Sequence, residues 1–362
     1  MIPRGLKVLM ISSDRNILVP RSAVSERMKE YGTLVKELHI IVFATKKHAR
    51  SLKIENSKLK ISDNVWVYPT NSLSRWLYPL DAIRIGKNIK ASLITTQDPF
   101  ESGWAGLKLK KILKIPLEVQ LHTDPYSRHF SGFLNWIRRL IMRNVMREAD
   151  SIRDVANLPI YIDRKRIESE PKFDLHKKYG FKTILLMVTR LSKEKNIGMA
   201  LEVLKKVRNK FPDTGLIVVG SGSEKFPAQD NVVFVGWQED VASYYKTADI
   251  FIQTSFFEGY GLSLVEAGLS GLPIITTPVG IATELAHERD AYIYPVNRPD
   301  LFSTGIIDLI ENDQKRDDLR MNIKHTLETK LISKDDYINQ LKDNWKLVVS
   351  LATIPNKADG KR

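Results

Sequence analysis

The stretch Thr254–Gly271, T-S-F-F-E-G-Y-G-L-S-L-V-E-A-G-L-S-G, decides how the rest of the chain is read. It follows Asp249-Ile-Phe-Ile-Gln253, whose bulk and β-branching predict a buried strand. Apolar residues at 262, 264, 265 and 269 predict a helix over Leu262–Leu269. Between strand and helix, Gly259 and Gly261 let backbone N–H groups approach a ligand closely. The helix N-terminus adds unpaired donors and a partial positive charge, a seat for a phosphate. Two glutamates frame the element, Glu258 before the loop and Glu266 inside the apolar helix. Glu266 is the odd residue. A carboxylate among Leu264, Val265, Ala267 and Leu269 either turns to the wet side of the helix or needs a hydrogen-bonding partner.

At 362 residues the chain is long enough for two domains of ordinary size. Hydrophobic content of 43% and charged content of 27% exclude a disordered or fibrous class. The absence of cysteine excludes disulfides and thiolate metal sites, and suits a reducing, cytoplasmic interior. The opening M-I-P-R-G-L-K-V-L-M-I-S-S has too short an apolar run for a signal peptide and reads as a first strand. No run approaches the roughly 18 apolar residues that a spanning helix needs. The formal net charge of +14 is uneven: residues 1–170 hold 30 Lys+Arg against 17 Asp+Glu, and residues 171–362 hold 26 against 25. A basic first half fits anionic lipid, a lipid-linked phosphate or merely a basic soluble surface. No nucleic-acid motif accompanies it.

Leu6–Ile11, Leu38–Phe43, Val65–Tyr68, Ala91–Thr95 and Leu117–Leu121 read as strands, with helices over Ser22–Leu34, Pro79–Lys90 and Gly103–Leu113. This alternation predicts a parallel sheet with helices on both faces and ligands at the C-terminal strand ends. Arg15 and Arg21 lie after the first of these strands, and Asp98 after the fourth, in T-Q-D-P-F-E-S-G. His122 and Asp124 lie after the fifth, in L-H-T-D-P-Y. Phe133–Arg147 is a basic helix with apolar residues at 133, 136, 137, 140, 141 and 145. That stripe suits core packing or, with Arg138, Arg139, Arg143 and Arg147, peripheral membrane contact.

The second half repeats the pattern, with strands Thr183–Val188, Gly215–Gly220 and Val232–Val235 and helices Gly198–Lys210, Val241–Ala248, Ser303–Glu311 and Asp318–Leu327. Arg190 and Lys195 follow the strand ending at Val188. They offer a planar fork and a point charge to phosphate oxygens, or form an exposed basic pair in a charged turn. Asp336–Leu351 reads as a terminal helix before a frayed tail over 353–362.

Glu258 and Glu266, with seven residues between them, resemble the E-x7-E motif of retaining GT-B glycosyltransferases, glycosyltransferase family 4 of the group 1 type. E-G-Y-G-L-S-L-V-E-A and G-L-P-I-I-T-T-P-V-G are similar to the family's text, and Thr189-Arg-Leu-Ser-Lys-Glu-Lys-Asn196 resembles its G-R-L-x-x-E-K-N segment. The resemblance implies an α/β fold of GT-B type, two Rossmann-like parallel-sheet domains facing across a cleft with a C-terminal crossover helix. It divides the chain into an acceptor-side domain over 1–157, a donor domain over 158–335 and a crossing helix over 336–352. The implied reaction is metal-independent transfer, with retention, from a UDP-, GDP- or ADP-sugar to a hydroxyl of a lipid-linked or cell-envelope glycan. No cofactor, metal or nucleic acid is implied, and the place of action is cytoplasmic or at the inner face of the cell membrane.

Residue by residue, the resemblance gives Arg190, Lys195 and the N–H groups of Gly261 and Leu262 to the donor diphosphate. It gives Glu258 to sugar hydroxyls near the reacting carbon, His122 to the donor sugar from across the cleft, and Glu266 to the ribose. Gly259, Tyr260, Ser263 and Gly236 complete the donor surface, and Arg15, Arg21, Asp98 and Asp124 lie on the acceptor side. Three departures stand out. Thr189 replaces a glycine, the loop after the first strand lacks paired glycines, and only a few residues separate Arg153 from Leu158 where relatives place a further helix and strand. A GT-B nucleotide-sugar epimerase, or a non-catalytic module binding nucleotide sugar or anionic membrane, are the other readings.

Overall fold

Strands covered on both faces carry continuous apolar runs instead of alternation, and both halves of the chain show such runs. The computed structural model describes residues 5–52, 54, 58–121, 132–154 and 161–352. The chain divides into two units, Met1–Ile160 with Ser333–Arg362, and Tyr161–Ile332.

The first unit holds β1 (Lys7–Ser12), β2 (Glu37–Val42), β3 (Leu59–Ser62), β4 (Val65–Pro69), β5 (Leu93–Thr96), β6 (Leu117–Gln120) and β7 (Ser151–Arg153), in the order β3-β4-β2-β1-β5-β6-β7. The central β1 is parallel to both neighbours, with Val8 level with Leu38 on one side and Leu93 on the other. One strand departs from the expected all-parallel sheet: β3 pairs antiparallel with β4 at the edge. Helices Tyr78–Gly86, Glu101–Leu113 and Phe133–Glu148 lie side by side on one face, as successive right-handed crossovers in one direction require. Small residues allow the contact. A Cβ on Gly86 would meet Leu109 Cδ1 at 2.5 Å, and one on Gly103 would meet Val145 at 3.0 Å.

The last helix, Lys334–Ala352, belongs to this same unit. Its Tyr337, Leu341, Trp345 and Val348 are buried, the spacing of one helical face. They cover a charged centre. Glu118, on β6, is fully buried; its Oε2 accepts from Trp345 Nε1 at 3.1 Å and from Thr95 Oγ1 at 2.6 Å. Its Oε1 accepts from Asn344 Nδ2 and lies 3.5 Å from Arg153 Nε.

The second unit holds β8 (Thr183–Val188), β9 (Thr214–Val219), β10 (Val232–Gly236), β11 (Ile250–Gln253), β12 (Ile274–Thr276) and β13 (Tyr292–Ile293), in the order β10-β9-β8-β11-β12-β13. Every pair is parallel. Apolar layers fill both faces, one around Phe251, Leu264 and Leu327 and the other around Val203, Ile252 and Phe302. Among the described residues no helix is long and apolar enough to cross a membrane.

Candidate functional site

In a doubly wound sheet, ligands bind in the crevice where the strand order reverses, because the loops on its two sides diverge there. In the second unit that point lies between β8 and β11: from β8 the chain runs out through β9 and β10, then returns to β11 on the other side. The loops after β8 and β11 therefore flank one crevice. They are stitched together: Phe256 N–H donates to Glu194 O at 2.8 Å, and Thr254 Oγ1 donates to Asn196 O at 2.9 Å.

Across this seam Lys195 Nζ meets Glu258 Oε2 at 2.6 Å, with only 10% and 11% of the two side chains exposed. Ser255 Oγ donates to the other oxygen, Glu258 Oε1, at 2.7 Å. A buried ion pair holds only when its geometry is good and further hydrogen bonds support its charges; here the contact is short, and Ser255 adds a second bond to the carboxylate while leaving it acceptor capacity. The seam thus holds a cation and a carboxylate at the strands' C-terminal ends. Arg190 differs from Lys195. Its side chain is 78% exposed and lies 3.5 Å from Glu194, so the expected pair divides into a buried lysine and an exposed guanidinium. Burial works against ionised Glu194, but the Ser192 hydroxyl, a backbone N–H, Arg190 and Lys195 together hold its carboxyl below the usual range.

The helix Leu262–Leu269 starts from Gly261, at φ 93°, and no side chain caps it. Its first N–H groups have no intrahelical partner. Leu262 at this end is 47% exposed, Gly259 is exposed, and Tyr260 and Ser263 are half-buried. Gly280 fixes the loop from behind: a Cβ there would fall 2.4 Å from Tyr260 O, while Ile281 N–H donates to that same oxygen at 2.7 Å. With φ at 58°, only glycine fits this position without strain.

Glu266 has the partner its sequence context demands. Its side chain is 13% exposed, so it does not turn to the wet side. Oε2 accepts from Tyr245 Oη at 2.9 Å, and Oε1 lies 3.7 Å from Arg166 Nη1. Burial raises the Glu266 pKa, and Arg166 and Tyr245 oppose the rise. Burial, with the Glu266 charge beside it, also pushes the Tyr245 phenol well above its ordinary range, so the phenol keeps its proton and donates. One carboxylate oxygen is fixed, and among the described residues the other faces only the exposed Arg166 guanidinium. Tyr245, Ser255 and Arg166 were not singled out by the sequence. The pair Tyr244-Tyr245 in V-A-S-Y-Y-K was the one available signal, since a buried tyrosine needs a partner for its hydroxyl.

Gly236, at φ 74° with open space around it, ends the edge strand β10 and is followed by Trp237, 69% exposed. In the first unit the order reverses between β1 and β5, and the loops after these strands carry Arg15, Arg21 and Asp98. Arg15 donates to Phe43 O at 3.3 Å and Tyr78 Oη at 3.2 Å, and Arg21 is exposed at φ 61°. The Asp98 carboxylate accepts from Phe100 N–H at 2.8 Å and Ser102 N–H at 3.4 Å, capping the following helix. Burial raises its pKa against those bonds. His122 and Asp124 lie outside the described residues.

Two α/β units built on largely parallel sheets make a GT-B fold, and the second, which carries this crevice, is similar to the group 1 glycosyltransferases. The model of the family described as glycosyl transferases group 1 matches residues 169–326, nearly all of that unit. The chain is 27% identical over 240 residues to the alpha-monoglucosyldiacylglycerol synthase of Streptococcus pneumoniae, covering 54% of this chain and 53% of that protein. It is 26% identical over 178 residues to the phosphatidyl-myo-inositol mannosyltransferase of Mycobacterium tuberculosis, covering 45% and 47%. The chain thus spans about half the length of these two relatives. Among solved structures, Anabaena HepE, crystallised with UDP and glucose, superposes with a TM-score of 0.69 over 94% of this chain and 99% of that one, at 15% identity.

Proposed function

We propose that the chain transfers a glycosyl group from a nucleoside-diphosphate sugar to a hydroxyl of a lipid-linked or cell-envelope acceptor, with retention of anomeric configuration and without a metal ion. The observation that carries this reading is the Lys195–Glu258 pair, held at 2.6 Å across the crevice next to an uncapped helix N-terminus. As the glycosidic bond breaks, charge grows on the departing phosphate. Lys195 and the N–H groups at Gly261 and Leu262 meet that charge with donors that need little reorganisation, and the exposed Arg190 adds a further cation. Glu258, aligned by Lys195 and Ser255, accepts from sugar hydroxyls through its remaining lone pairs. Glu266 Oε1 accepts from the ribose, while Oε2 stays with Tyr245. Two relatives that are named for lipid glycosylation support a lipid acceptor, and the UDP-glucose ligands of HepE make that donor the first to try.

The test is thermal stabilisation in chelator against UDP-, GDP- and ADP-sugars, followed by turnover with diacylglycerol and polyprenyl-phosphate acceptors. A shift with one donor, and a glycolipid of retained configuration formed from it, is expected. No shift with any donor would sink the reading.

A further inference from the structure

Both cations at the crevice already have a carboxylate. Lys195 is paired with Glu258 at 2.6 Å, with 10% and 11% of the two side chains exposed. Arg190 lies 3.5 Å from Glu194, with 78% and 34% exposed. Among the described residues Glu194 is the one carboxylate within ion-pair distance of Arg190. The formal charges of the two pairs cancel. A multiply charged diphosphate that arrives between the loops after β8 and β11 therefore meets a balanced surface, and it gains a full counter-charge only if one pair opens.

Magnitudes decide which pair that is. Parting Lys195 from Glu258 strands a buried charge, which shifts an equilibrium about a hundredfold or more. Parting Arg190 from Glu194 separates two partly hydrated groups, and exposed pairs of this kind are worth about fivefold at most. A guanidinium can instead give two parallel, charge-assisted hydrogen bonds to a phosphate, a stronger contact than a single approach at 3.5 Å. Arg190 is the group that changes partner.

Glu194 is held so that it stays behind. Its carbonyl oxygen accepts from Phe256 N–H at 2.8 Å, which ties it to the loop after β11, and its Oε1 accepts from Ser192 Oγ at 2.7 Å. Ser192 N–H in turn donates to Arg190 O at 3.0 Å, so one serine braces the Arg190 backbone and the Glu194 carboxylate together. Burial opposes ionisation of Glu194, but the Ser192 hydroxyl and a backbone N–H lower its pKa more than Arg190 does. The carboxylate keeps its charge once Arg190 has left.

We propose that Glu194 is the exchangeable counter-ion of Arg190: it holds the guanidinium before a donor binds, yields it to the donor's diphosphate, and reclaims it as the nucleoside diphosphate departs. Glu194 is thus a positioning residue that acts through Arg190, and its competition keeps the product from binding too tightly to leave. The identity of the diphosphate rests on the function proposed above.

The test is calorimetric titration, in chelator, of wild type, Glu194→Gln, Arg190→Ala and the double variant with UDP, GDP, ADP and inorganic pyrophosphate. The glutamine keeps an oxygen for the Ser192 hydroxyl and removes the charge. Glu194→Gln is expected to bind the diphosphate that wild type prefers about two- to fivefold more tightly, at an unchanged melting temperature, with the gain shrinking as salt screens the pair. Donor KM and the inhibition constant of the product should fall together. In the Arg190→Ala background the gain should drop by at least half. The sign is decisive, because a variant that has merely lost structure loosens its ligand. Looser or unchanged binding by folded Glu194→Gln would overturn the exchange, and so would an equal gain in both backgrounds, which is simple repulsion. Either result leaves the function proposed above standing. Pyrophosphate that follows the expected pattern while no nucleotide binds would keep the exchange and sink that function. Wild type that binds none of the four overturns both.

Discussion

Glu118 in the first unit and Glu266 in the second are both carboxylates in apolar surroundings, and they are solved differently. Glu118 has four partners on two oxygens: Trp345, Thr95, Asn344 and Arg153. It has no access to solvent and nothing left to offer. Among the described residues the Glu266 carboxylate has one hydrogen bond, from Tyr245, and an arginine standing off at 3.7 Å. Burial is expensive for both. A carboxylate whose partners are complete belongs to the architecture, whereas one with a fixed oxygen and a spare oxygen at a sheet's ligand edge is arranged to receive something. The contrast turns a count of partners into a functional distinction.

Substitutions can break the contrast, and the largest effect falls on the saturated member. Glu118→Ala leaves Arg153 buried without its counter-charge, and should cost about 3–5 kcal/mol of stability. Denaturation should show that loss while the folded fraction still binds donor; a weakened donor shift at full folding would erase the distinction. Lys195→Ala should lower kcat/KM about a hundred- to a thousandfold, the effect of losing one preorganised donor to developing charge. Steady-state kinetics check it, and a loss confined to KM would move Lys195 from the reacting phosphate to ground-state binding.

Smaller effects sharpen the comparison. Glu266→Gln should weaken donor binding about tenfold or more, as expected for a hydrogen bond to a charged group, with little change in melting temperature. Calorimetric titration reads the first and a melting scan the second. Tyr245→Phe should cost only about 1 kcal/mol of donor binding, because the carboxylate stays but loses its orientation; unchanged affinity would make Tyr245 a packing residue. Donor affinity should also fall on acidification. The Glu266 carboxyl is held above its ordinary value by burial, against Arg166 and Tyr245, and only its ionised form is a full acceptor. Affinity is therefore present above that raised pKa and lost as pH falls through it. Arg166→Met removes the opposing cation, raises the pKa further and should move the loss to higher pH. A profile identical to wild type would show that Arg166 exerts no field on the site.

Much of this was legible from residue order. The apolar runs that became β8, β9 and β11, the turn at Gly261 and the helix at Leu262 were written locally, because each element's pattern lies within its own dozen residues. Glu266 announced itself by breaking such a pattern. What could not be read was whatever depends on distant residues meeting. Tyr245 is 21 residues from Glu266, and only the return from β10 to β11 brings them together. The edge strand β3 was missed because Lys58 and Lys60 interrupt a run of only four residues, and the helix Lys46–Ser51 because its one buried residue, Ala49, leaves no stripe. The stripe at Phe133 shows the opposite limit. Its period was plain, but whether its outer half met protein or water was not a property of the sequence window.

The bond from Trp345 to Glu118 joins residues 227 positions apart. Between them lies an entire unit with its own two-layered core. Synthesis runs from the N-terminus, so β6 leaves the ribosome with two partners of its carboxylate, Asn344 and Trp345, still unmade, and must wait for them while the whole second unit is made. That unit is continuous and can complete itself first. The first unit, although it begins the chain, finishes last. A stop codon placed before Asn344 would strip donors from a glutamate made more than two hundred residues earlier, and its damage would appear in the first unit's sheet.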